Sequence, residues 1–384
     1  MSRGLVIEAA YLVAAVLFIL GLKSMGSPRT ARRGMFMAEL GMLLAVLGTM
    51  VSAKVITYEW IILGMVIGTA AGAVISVWTP MTAMPQRTAL SHAFGALAAA
   101  LVGVAQYYNL GAAAGLGKMT AIGLEVFLGG LTFTGSMMAF GKLQGILPGA
   151  PMTYKGQNVS NMILLAALIA SVVWIVIDPS QTWVFYAMVG LSLVFGVLLV
   201  MPIGAADMPV VIALLNSYAG LAGCATGFAL DNSILIVAGA LDGASGFILS
   251  VLMCKAMNRS MTNVLFGAFG KAPEAVASAA SELGTVRSMG PDEAAYLLEA
   301  ASRVVIVPGY GMAVSQAQHV VKKLTDLLSA RGVDVRFAIH PVAGRMPGHM
   351  NVLLAEAGVE YDKLYDMDQI NDDFARTDVA IVIG

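Results

Sequence analysis

The feature of the sequence that most constrains the fold is a series of nine apolar stretches. Each is close to 20 residues long, and an α-helix of about that length crosses the hydrocarbon core of a bilayer, roughly 30 Å thick. The sequence therefore predicts a mainly α-helical, multi-pass protein whose first part is a bundle of nine transmembrane helices in a lipid bilayer. The predicted spans cover residues 5–22, 35–53, 60–79, 86–108, 119–141, 159–177, 182–201, 208–229 and 233–254.

Charged residues divide the chain into two parts that face different solvents. The 384-residue chain is only 12% charged, against roughly 25% for an ordinary soluble domain. Residues 1–259 hold 20 charged residues, whereas residues 260–384 hold 25. This composition excludes a wholly soluble globule, a disordered polymer and a nucleic-acid-binding protein. It predicts a transmembrane domain over 1–259, a linker over 260–301 and a water-facing domain over 302–384.

The loops between the predicted spans carry an uneven share of positive charge. Cytoplasmic loops of membrane proteins have an excess of Lys and Arg, and alternate loops here hold nine such residues on one side and three on the other. We therefore expect the amino terminus outside and the carboxyl-terminal part in the cytoplasm. The nine are Lys23, Arg29, Arg32, Arg33, Arg87, Lys142, Lys155, Lys255 and Arg259, and the three are Arg3, Lys54 and Lys118.

Polar residues inside the spans are the candidates for function, because an ionisable group at membrane depth is costly and usually faces a partner or a water-filled cavity. His92 is the only histidine of the membrane part. Histidine exchanges protons near neutral pH, although a lone histidine also serves as a packing residue. The fifth span places Glu125, Gly129, Thr132 and Ser136 on one helical face.

Three further polar residues extend this pattern. Asn216 and Asp242 lie on the glycine-rich faces of the eighth and ninth spans, and Asp207 directly precedes the eighth. If these faces converge, they form a polar path with Glu125 nearer the outside, Asp242 near mid-depth, His92 and Asn216 nearer the cytoplasm, and Asp207 at the inner mouth. A lining this sparse suits protons better than bulky solutes. The sequence thus predicts a proton path that contains His92, Glu125, Asp207 and Asn216.

Small residues at helical spacing predict close helix packing within the bundle. Two cysteines, in separate spans, lack the spacing of metal ligands, so we predict no metal site. The glycine ladders are Gly64, Gly68 and Gly72 in the third span, Gly220, Gly223 and Gly227 in the eighth, and Gly239, Gly243 and Gly246 in the ninth.

The last part of the chain alternates between strand and helix patterns, which predicts an α/β, Rossmann-like domain with a doubly wound sheet. The predicted strands are Arg303–Val307, Asp334–Ile339 and Val379–Ile383, and the predicted helices are Met312–Arg331 and Pro347–Ala357.

A glycine motif lies between the first strand and the first helix of this domain: Gly309, Tyr310, Gly311, Met312, Ala313 and Val314. A G-x-G turn at this junction allows a dinucleotide pyrophosphate to approach the backbone, although a bare turn has the same residues. The second strand is followed by Arg345 and no acidic residue, which favours the 2′-phosphate of NADP over the ribose of NAD. Asp368 is the acidic residue that we expect to meet the ligand.

Several stretches resemble the β subunit of the proton-translocating NAD(P) transhydrogenase family. They cover nearly the whole chain and comprise Ser91–Gly95, Gly123–Phe127, Asp207–Val211, Leu215–Tyr218, Met253–Arg259, Pro308–Val314 and His340–Glu356.

The resemblance implies an enzyme that couples proton movement to hydride transfer from NADH to NADP⁺. It implies that this chain binds NADP(H), that a partner alpha subunit binds NAD(H), and that the complex is a dimer of alpha–beta units in the bacterial inner membrane. By resemblance His92 and Asn216 serve proton translocation, Asp207 lies at the domain boundary, and Arg345 and Asp368 surround the cofactor.

Two features depart from the family. The family's nucleotide domain continues further, so we expect the domain here to be incomplete at its carboxyl terminus. The family is not expected to have an acid at Asp242. The competing hypothesis is a channel or secondary transporter gated by a regulatory nucleotide domain, which would move a solute or ion without hydride transfer.

Overall fold

The computed structural model describes residues 3–51, 57–80, 83–256, 260–266, 287–341, 343–344 and 348–384. The chain folds into two compact units. The described residues of the first fall within Met1–Pro80, Gln86–Ala205 and Val211–Ser250, and those of the second within Met81–Pro85, Ala206–Val210 and Val251–Gly384.

Nine helices in the described part of the chain are long and apolar enough to cross a membrane, so each predicted span is confirmed as a long apolar helix. A helix suits a segment that enters lipid, because lipid offers the backbone no hydrogen-bond partners and the segment must satisfy its own N–H and C=O groups. The helices are α1 (Arg3–Met25), α2 (Pro28–Met50), α3 (Glu59–Trp78), α4 (Met84–Leu110), α5 (Leu116–Leu143), α6 (Gln157–Ile177), α7 (Thr182–Val200), α8 (Met208–Leu230) and α9 (Ser233–Ala256).

The centre of the first unit is α5, which packs closely on α7 and α6. A Cβ at Gly123 would lie 3.0 Å from the side chain of Val172, so the absence of one lets α6 approach. Helices α1 and α2 form a second closely packed pair. By contrast, α3 has no buried residue.

The second unit contains a four-stranded parallel sheet with strand order β3-β2-β1-β4. Val304, Val305 and Ile306 are fully buried in the central strand, as expected for a parallel strand covered on both faces. The strands are β1 (Arg303–Pro308), β2 (Asp334–Ile339), β3 (Leu364–Asp366) and β4 (Val379–Ile383). The helices are α10 (Met261–Phe266), α11 (Pro291–Ala300), α12 (Tyr310–Val314), α13 (Gln318–Ala330), α14 (His349–Glu356) and α15 (Met367–Ile370).

The three predicted strands are confirmed, but the prediction of one helix over Met312–Arg331 is wrong at its centre. The chain forms α12 and α13, separated by Gln316 with a left-handed φ of 50°. Ala317 N donates to Met312 O and Gln316 N donates to Ala313 O, which is the hydrogen-bond pattern of a Schellman helix end. No Gly or Pro marks this break, and the apolar periodicity continues across it, so the sequence pattern does not reveal it.

Four shorter elements, β3, α10, α11 and α15, are also absent from the predictions. Strand β3 has only three residues, too few for an alternating pattern. The predicted linker contains α10 and α11 within its described residues, and α11 begins at Pro291, a residue suited to a first helical turn.

Candidate proton path and nucleotide-binding edge

A close contact between α8 and α9 places two predicted polar residues together. We call this contact the α8–α9 seam. It allows Asn216 Nδ2 to donate to Asp242 Oδ1 at 3.1 Å and Ser217 Oγ to donate to Gly243 O at 2.7 Å. A methyl group at Gly220 would lie only 2.8 Å from the Cα of Gly243, so the contact requires glycine. The seam is formed by Gly220, Gly227, Gly239, Gly243 and Gly246.

His92 lies on α4 and lines a cavity of about 730 Å³ between α4 and α3. Arg87, Thr88 and Ser91 give this cavity a partly polar wall, while Gly68 is among the residues of the opposite wall. Nδ1 of His92 is buried and has no hydrogen-bond partner among the described residues. The histidine therefore lies between an open cavity and the interior of the bundle.

The packing of α4 on α5 fixes the depth of His92. A Cβ at Gly129 would lie 2.8 Å from the backbone oxygen of Ala96, so these two residues are neighbours in antiparallel helices. His92 lies about one turn before Ala96, which places it near the depth of Thr132 and Ser136 on α5. Both hydroxyl groups are buried without a described hydrogen-bond partner.

The packing of α5 on α8 gives the depth of Asn216 in the same way. A Cβ at Gly135 would lie 3.0 Å from Cδ2 of Leu215, so Ser136 and Asn216 lie within roughly one turn of each other in depth. His92, Ser136 and Asn216 thus occupy one layer of the bundle, the polar layer. The structure gives this common depth, and the role of these residues stays a prediction.

Glu125 lies in a different layer. It is fully buried, and Thr226 Oγ1 on α8 donates to its Oε1 at 2.7 Å. Its Oε2 has no described partner, and Gly103 of α4 lies against the carboxyl group. Thr226 is ten residues from Asn216, so Glu125 lies roughly 15 Å from the polar layer along the helix axes.

Asp207 ends a 3₁₀ turn that directly precedes α8. It is partly buried and belongs to the second compact unit. Nine residues of chain separate it from Asn216, or roughly 14 Å along the helix. Among the four predicted proton-path residues, the structure therefore brings His92 and Asn216 to one depth and leaves Glu125 and Asp207 on either side.

Lys142 has a structural setting that the sequence analysis missed. It is 2% exposed, and its ammonium donates to the backbone oxygens of Val200 at 3.3 Å, Ile203 at 2.7 Å and Met201. These carbonyls follow or end α7 and have no partners within that helix. A basic residue in the last turn of an apolar helix was the available sequence signal. Lys142 therefore caps the carboxyl end of α7, although the sequence pattern places it among the positive charges of a loop.

The glycine motif of the second unit lies at the carboxyl edge of the sheet. Gly309 N donates to Ile383 O at 2.6 Å, and a Cβ at Gly311 would lie 2.8 Å from the Cα of Gly384. Both glycines are therefore required by the close approach of β4 to this turn. Of the next residues, Met312 and Ala313 have buried side chains that belong to the core.

The other predicted cofactor residues lie at the same edge or outside the described residues. Tyr310 follows β1 and contacts His349, with ring centroids 6.2 Å apart. Val314 is 64% exposed. Asp368 lies in α15, directly after β3, and is exposed. Since β2 separates β3 from β1, Asp368 lies roughly 10 Å from the glycine turn across the sheet. Arg345 lies outside the described residues.

The opposite edge of the sheet is fixed by Asp378. Its carboxylate accepts hydrogen bonds from the backbone N–H groups of Ser302 at 2.8 Å and Arg303 at 2.9 Å. These bonds favour the ionised form and lower the pKa of Asp378 from its usual value. The described residues contain no cluster of three or more His, Cys, Asp or Glu that could hold a metal ion.

Comparisons with known proteins identify the family. The family model described as "NAD(P) transhydrogenase beta subunit" matches residues 7–384. The "NAD(P) transhydrogenase subunit beta" of Rhodospirillum rubrum is 47% identical over 385 residues, covering 98% of this chain and 82% of the relative, and the protein from its strain ATCC 11170 has the same values. These findings do not favour the channel or transporter hypothesis. The chain belongs to the NAD(P) transhydrogenase beta subunit family, and so to an enzyme complex that includes an alpha subunit and uses nicotinamide nucleotides.

Proposed function

We propose that the membrane helices of this beta subunit conduct protons and that His92 and Asn216 are the central residues of the path. The observation that carries the proposal is the polar layer, in which His92, Ser136 and Asn216 share one depth in an apolar bundle. Ionisable and amide side chains at membrane depth are costly unless they serve a pathway or a partner. Residues 1–259 form the proton-conducting domain.

The two remaining proton-path residues extend the path along the bundle axis. Glu125 exchanges protons on the outer side of the layer, where its carboxyl group is buried against Thr226. Asp207 lies at the inner end of α8 and relays protonation to the nucleotide-binding domain. The spacings of roughly 14–15 Å from Asn216 exceed one hydrogen bond, so water must complete the path on both sides.

Residues 302–384 bind NADP(H) at the carboxyl edge of the sheet, and residues 260–301 link them to the membrane domain. The strand order β3-β2-β1-β4 supports a Rossmann-like domain, because it matches the first four strands of the doubly wound order. In that order ligands bind at the point where the strand order reverses, between β1 and β4, and Gly309 and Gly311 lie at the end of β1 beside β4. Gly311 fits a pyrophosphate, since it is exposed at this turn and has no side chain to cover its backbone.

NADP(H), when bound, supplies or accepts the hydride. The chain's own residues hold and orient it: the backbone of residues 309–314 at the pyrophosphate, Arg345 at the 2′-phosphate and Asp368 at the rim of the site. The absence of an acidic residue directly after β2 supports NADP over NAD. NAD(H) binds to the alpha subunit, and hydride passes between the two nicotinamides, so alignment and exclusion of water are the protein's tasks.

Coupling requires two states of the complex that differ in their affinity for a proton at His92. Protonation then shifts the population toward the state that binds one redox form of the nucleotide more tightly. The complex is a dimer of alpha–beta units in the inner membrane of a bacterium, with the amino terminus of this chain outside and its carboxyl-terminal domain in the cytoplasm. The excess of Lys and Arg in the loops of one side supports this orientation, and that side still has the excess when Lys142 is left out.

The test uses the full alpha–beta complex in sealed vesicles. Hydride transfer from NADH to an NADP⁺ analogue is measured with and without an imposed pH gradient, and proton movement is followed with an internal dye. We expect His92→Ala to abolish the response to the gradient while NADPH binding remains. The control, Ser91→Ala, changes an exposed residue that lines the same cavity and should respond as the parent does. Full coupling in His92→Ala would remove His92 from the path.

A further inference from the structure

The side chain of Asn216 has an acidic partner that is not one of the four residues of the proposed proton path. Asp242 lies near the middle of α9, and its Oδ1 accepts the Asn216 Nδ2 hydrogen bond at 3.1 Å. Gly246 leaves room for this pair, because a Cβ at that position would lie 2.9 Å from the same Nδ2 atom. The α8–α9 seam therefore brings an amide of the polar layer into contact with a carboxylate.

The chemistry of the pair depends on the charge of Asp242. An ionised carboxylate only accepts hydrogen bonds, so it must meet the NH₂ end of the amide and leave Oδ1 of Asn216 to accept from a proton donor. A protonated carboxyl group also donates, and it can then bond to Oδ1 instead. The amide consequently has two hydrogen-bonding arrangements, and one proton on Asp242 selects between them.

We propose that Asp242 is the positioning residue of Asn216: its carboxylate holds the amide with Oδ1 available to the proton path, and uptake of a proton from the path releases it. The only bond that changes is the O–H bond that forms when Asp242 takes up a proton from the path, and it breaks when that proton returns to the path and the carboxylate re-forms. This inference rests on the proposed role of Asn216 and adds Asp242 to the titrating groups of the path.

The surroundings leave Asn216 as the principal polar contact of Asp242. The titratable side chains of the facing helix α8 are Tyr218 and Cys224. Tyr218 packs against the α5–α7 core, and Cys224 lies beside Gly239, about one turn from Asp242. Glu125 lies more than two turns away in depth. Among the described residues, no ion pair involves Asp242, so no cation competes with the amide for its carboxylate.

The experiment compares substitutions at Asp242 in the complete alpha–beta complex in vesicles. Asp242→Asn keeps the shape and an acceptor oxygen but cannot ionise, whereas Asp242→Glu keeps the charge. Ser245→Ala is the control, because it removes a polar side chain from the same helix whose hydroxyl bonds only to the α9 backbone. The readouts are the pH profile of the gradient-driven rate and the hydride-transfer rate after an ionophore collapses the gradient.

We expect Asp242→Asn to lower the gradient-driven rate roughly tenfold, the effect of losing one charge-assisted hydrogen bond. Its pH profile should lack one ionisation step that Asp242→Glu and Ser245→Ala retain, and hydride transfer without a gradient should stay within about twofold of the parent. A purely structural role would lower both rates together and leave the shape of the pH profile unchanged.

The variant Asn216→Ala separates this inference from the proposed function. If Asn216→Ala loses coupling while Asp242→Asn matches the parent in rate and pH profile, the positioning role is wrong and the proton path stands. If Asn216→Ala itself keeps full coupling, the proposed path is wrong. If Asp242 acts through Asn216, the double variant should be no worse than Asn216→Ala alone.

Discussion

The α8–α9 seam and helix α3 both contain glycines at helical spacing, but these glycines are closely packed in the seam and uncovered in α3. Gly220, Gly239 and Gly243 are in such close contact that a methyl group would meet the backbone of the facing helix. Gly64, at an equivalent helical spacing in α3, has no atom within 4 Å of an added Cβ, and no residue of α3 is buried. A glycine ladder thus permits close packing, but a facing surface of matching shape decides whether packing occurs.

The difference extends to polar groups. Within the packed region, Thr226 bonds to Glu125 of another helix and Lys142 bonds to Val200 O at the end of α7. On the exposed surface, Thr120 bonds to Leu116 O of its own helix. Four pairs of matched substitutions test whether contact with a facing element, rather than residue type, sets the energetic cost.

Glycine substitution should give the largest contrast. Gly239→Ala would place a Cβ 2.6 Å from the backbone oxygen of Gly220, and overpacking of this kind costs about 3 kcal/mol of unfolding free energy. Gly64→Ala has open space and should stabilise α3 by up to about 1 kcal/mol through helix propensity. Thermal unfolding in detergent measures both. Equal losses would mean that the two ladders pack alike.

The paired lysines should give the next largest effect. Lys142→Met removes the donor to Ile203 O and leaves Val200 O with only the backbone N–H of Ile203, so we expect it to cost about 2 kcal/mol. Lys155→Met, in the exposed loop before α6, should change stability by less than about 0.5 kcal/mol. Denaturant titration of the purified complex compares them. A stable Lys142→Met variant would show that the α7 carbonyls find other donors.

Two threonines test the same idea with a neutral group. Thr226→Ala removes the hydrogen bond to the buried carboxyl group of Glu125 and should cost about 1 kcal/mol. Thr120→Ala removes an exposed hydroxyl that bonds only to Leu116 O of its own helix, at 2.8 Å, and should be nearly neutral. The measurement is again the shift in unfolding temperature, and a cost that is the same for both would contradict the comparison.

The smallest effect should come from Asp378 of the second unit, because its side chain is exposed and hydration competes with its hydrogen bonds. The pKa of Asp378 is lowered by its bonds from the backbone N–H groups of Arg303 and Ser302, so these bonds stabilise the folded state fully above the ordinary pKa of 3.8, and this contribution is lost as the pH falls from there through the lowered pKa. Asp378→Asn should therefore lower the unfolding temperature slightly at pH 7 and by less at pH 3. Asp372→Asn, at an exposed position, should have no effect at either pH. An equal Asp378→Asn effect at both pH values would exclude the ionised contact.

Part of the candidate site could be predicted, because a polar residue within an apolar stretch is visible in the sequence of that stretch alone and is costly to bury wherever the helix packs. His92, Glu125 and Asn216 are conspicuous within apolar stretches, and the structure gives each a buried or intermediate position. Their neighbours could not be predicted, since Thr226 resembles any helix threonine. The break at Gln316 was missed for a related reason, because a Schellman end formed without glycine leaves no sign in the apolar pattern.

The sequence by itself determined where the membrane helices and the main strands lie, because length and hydrophobic periodicity are properties of short segments in contact with a solvent. Only the tertiary structure decided that Asn216 meets Asp242, that His92 lines a cavity and that one glycine ladder packs while another does not. Those outcomes depend on the rotation and register of helices far apart in the chain, and small shifts of register exchange one contact for another.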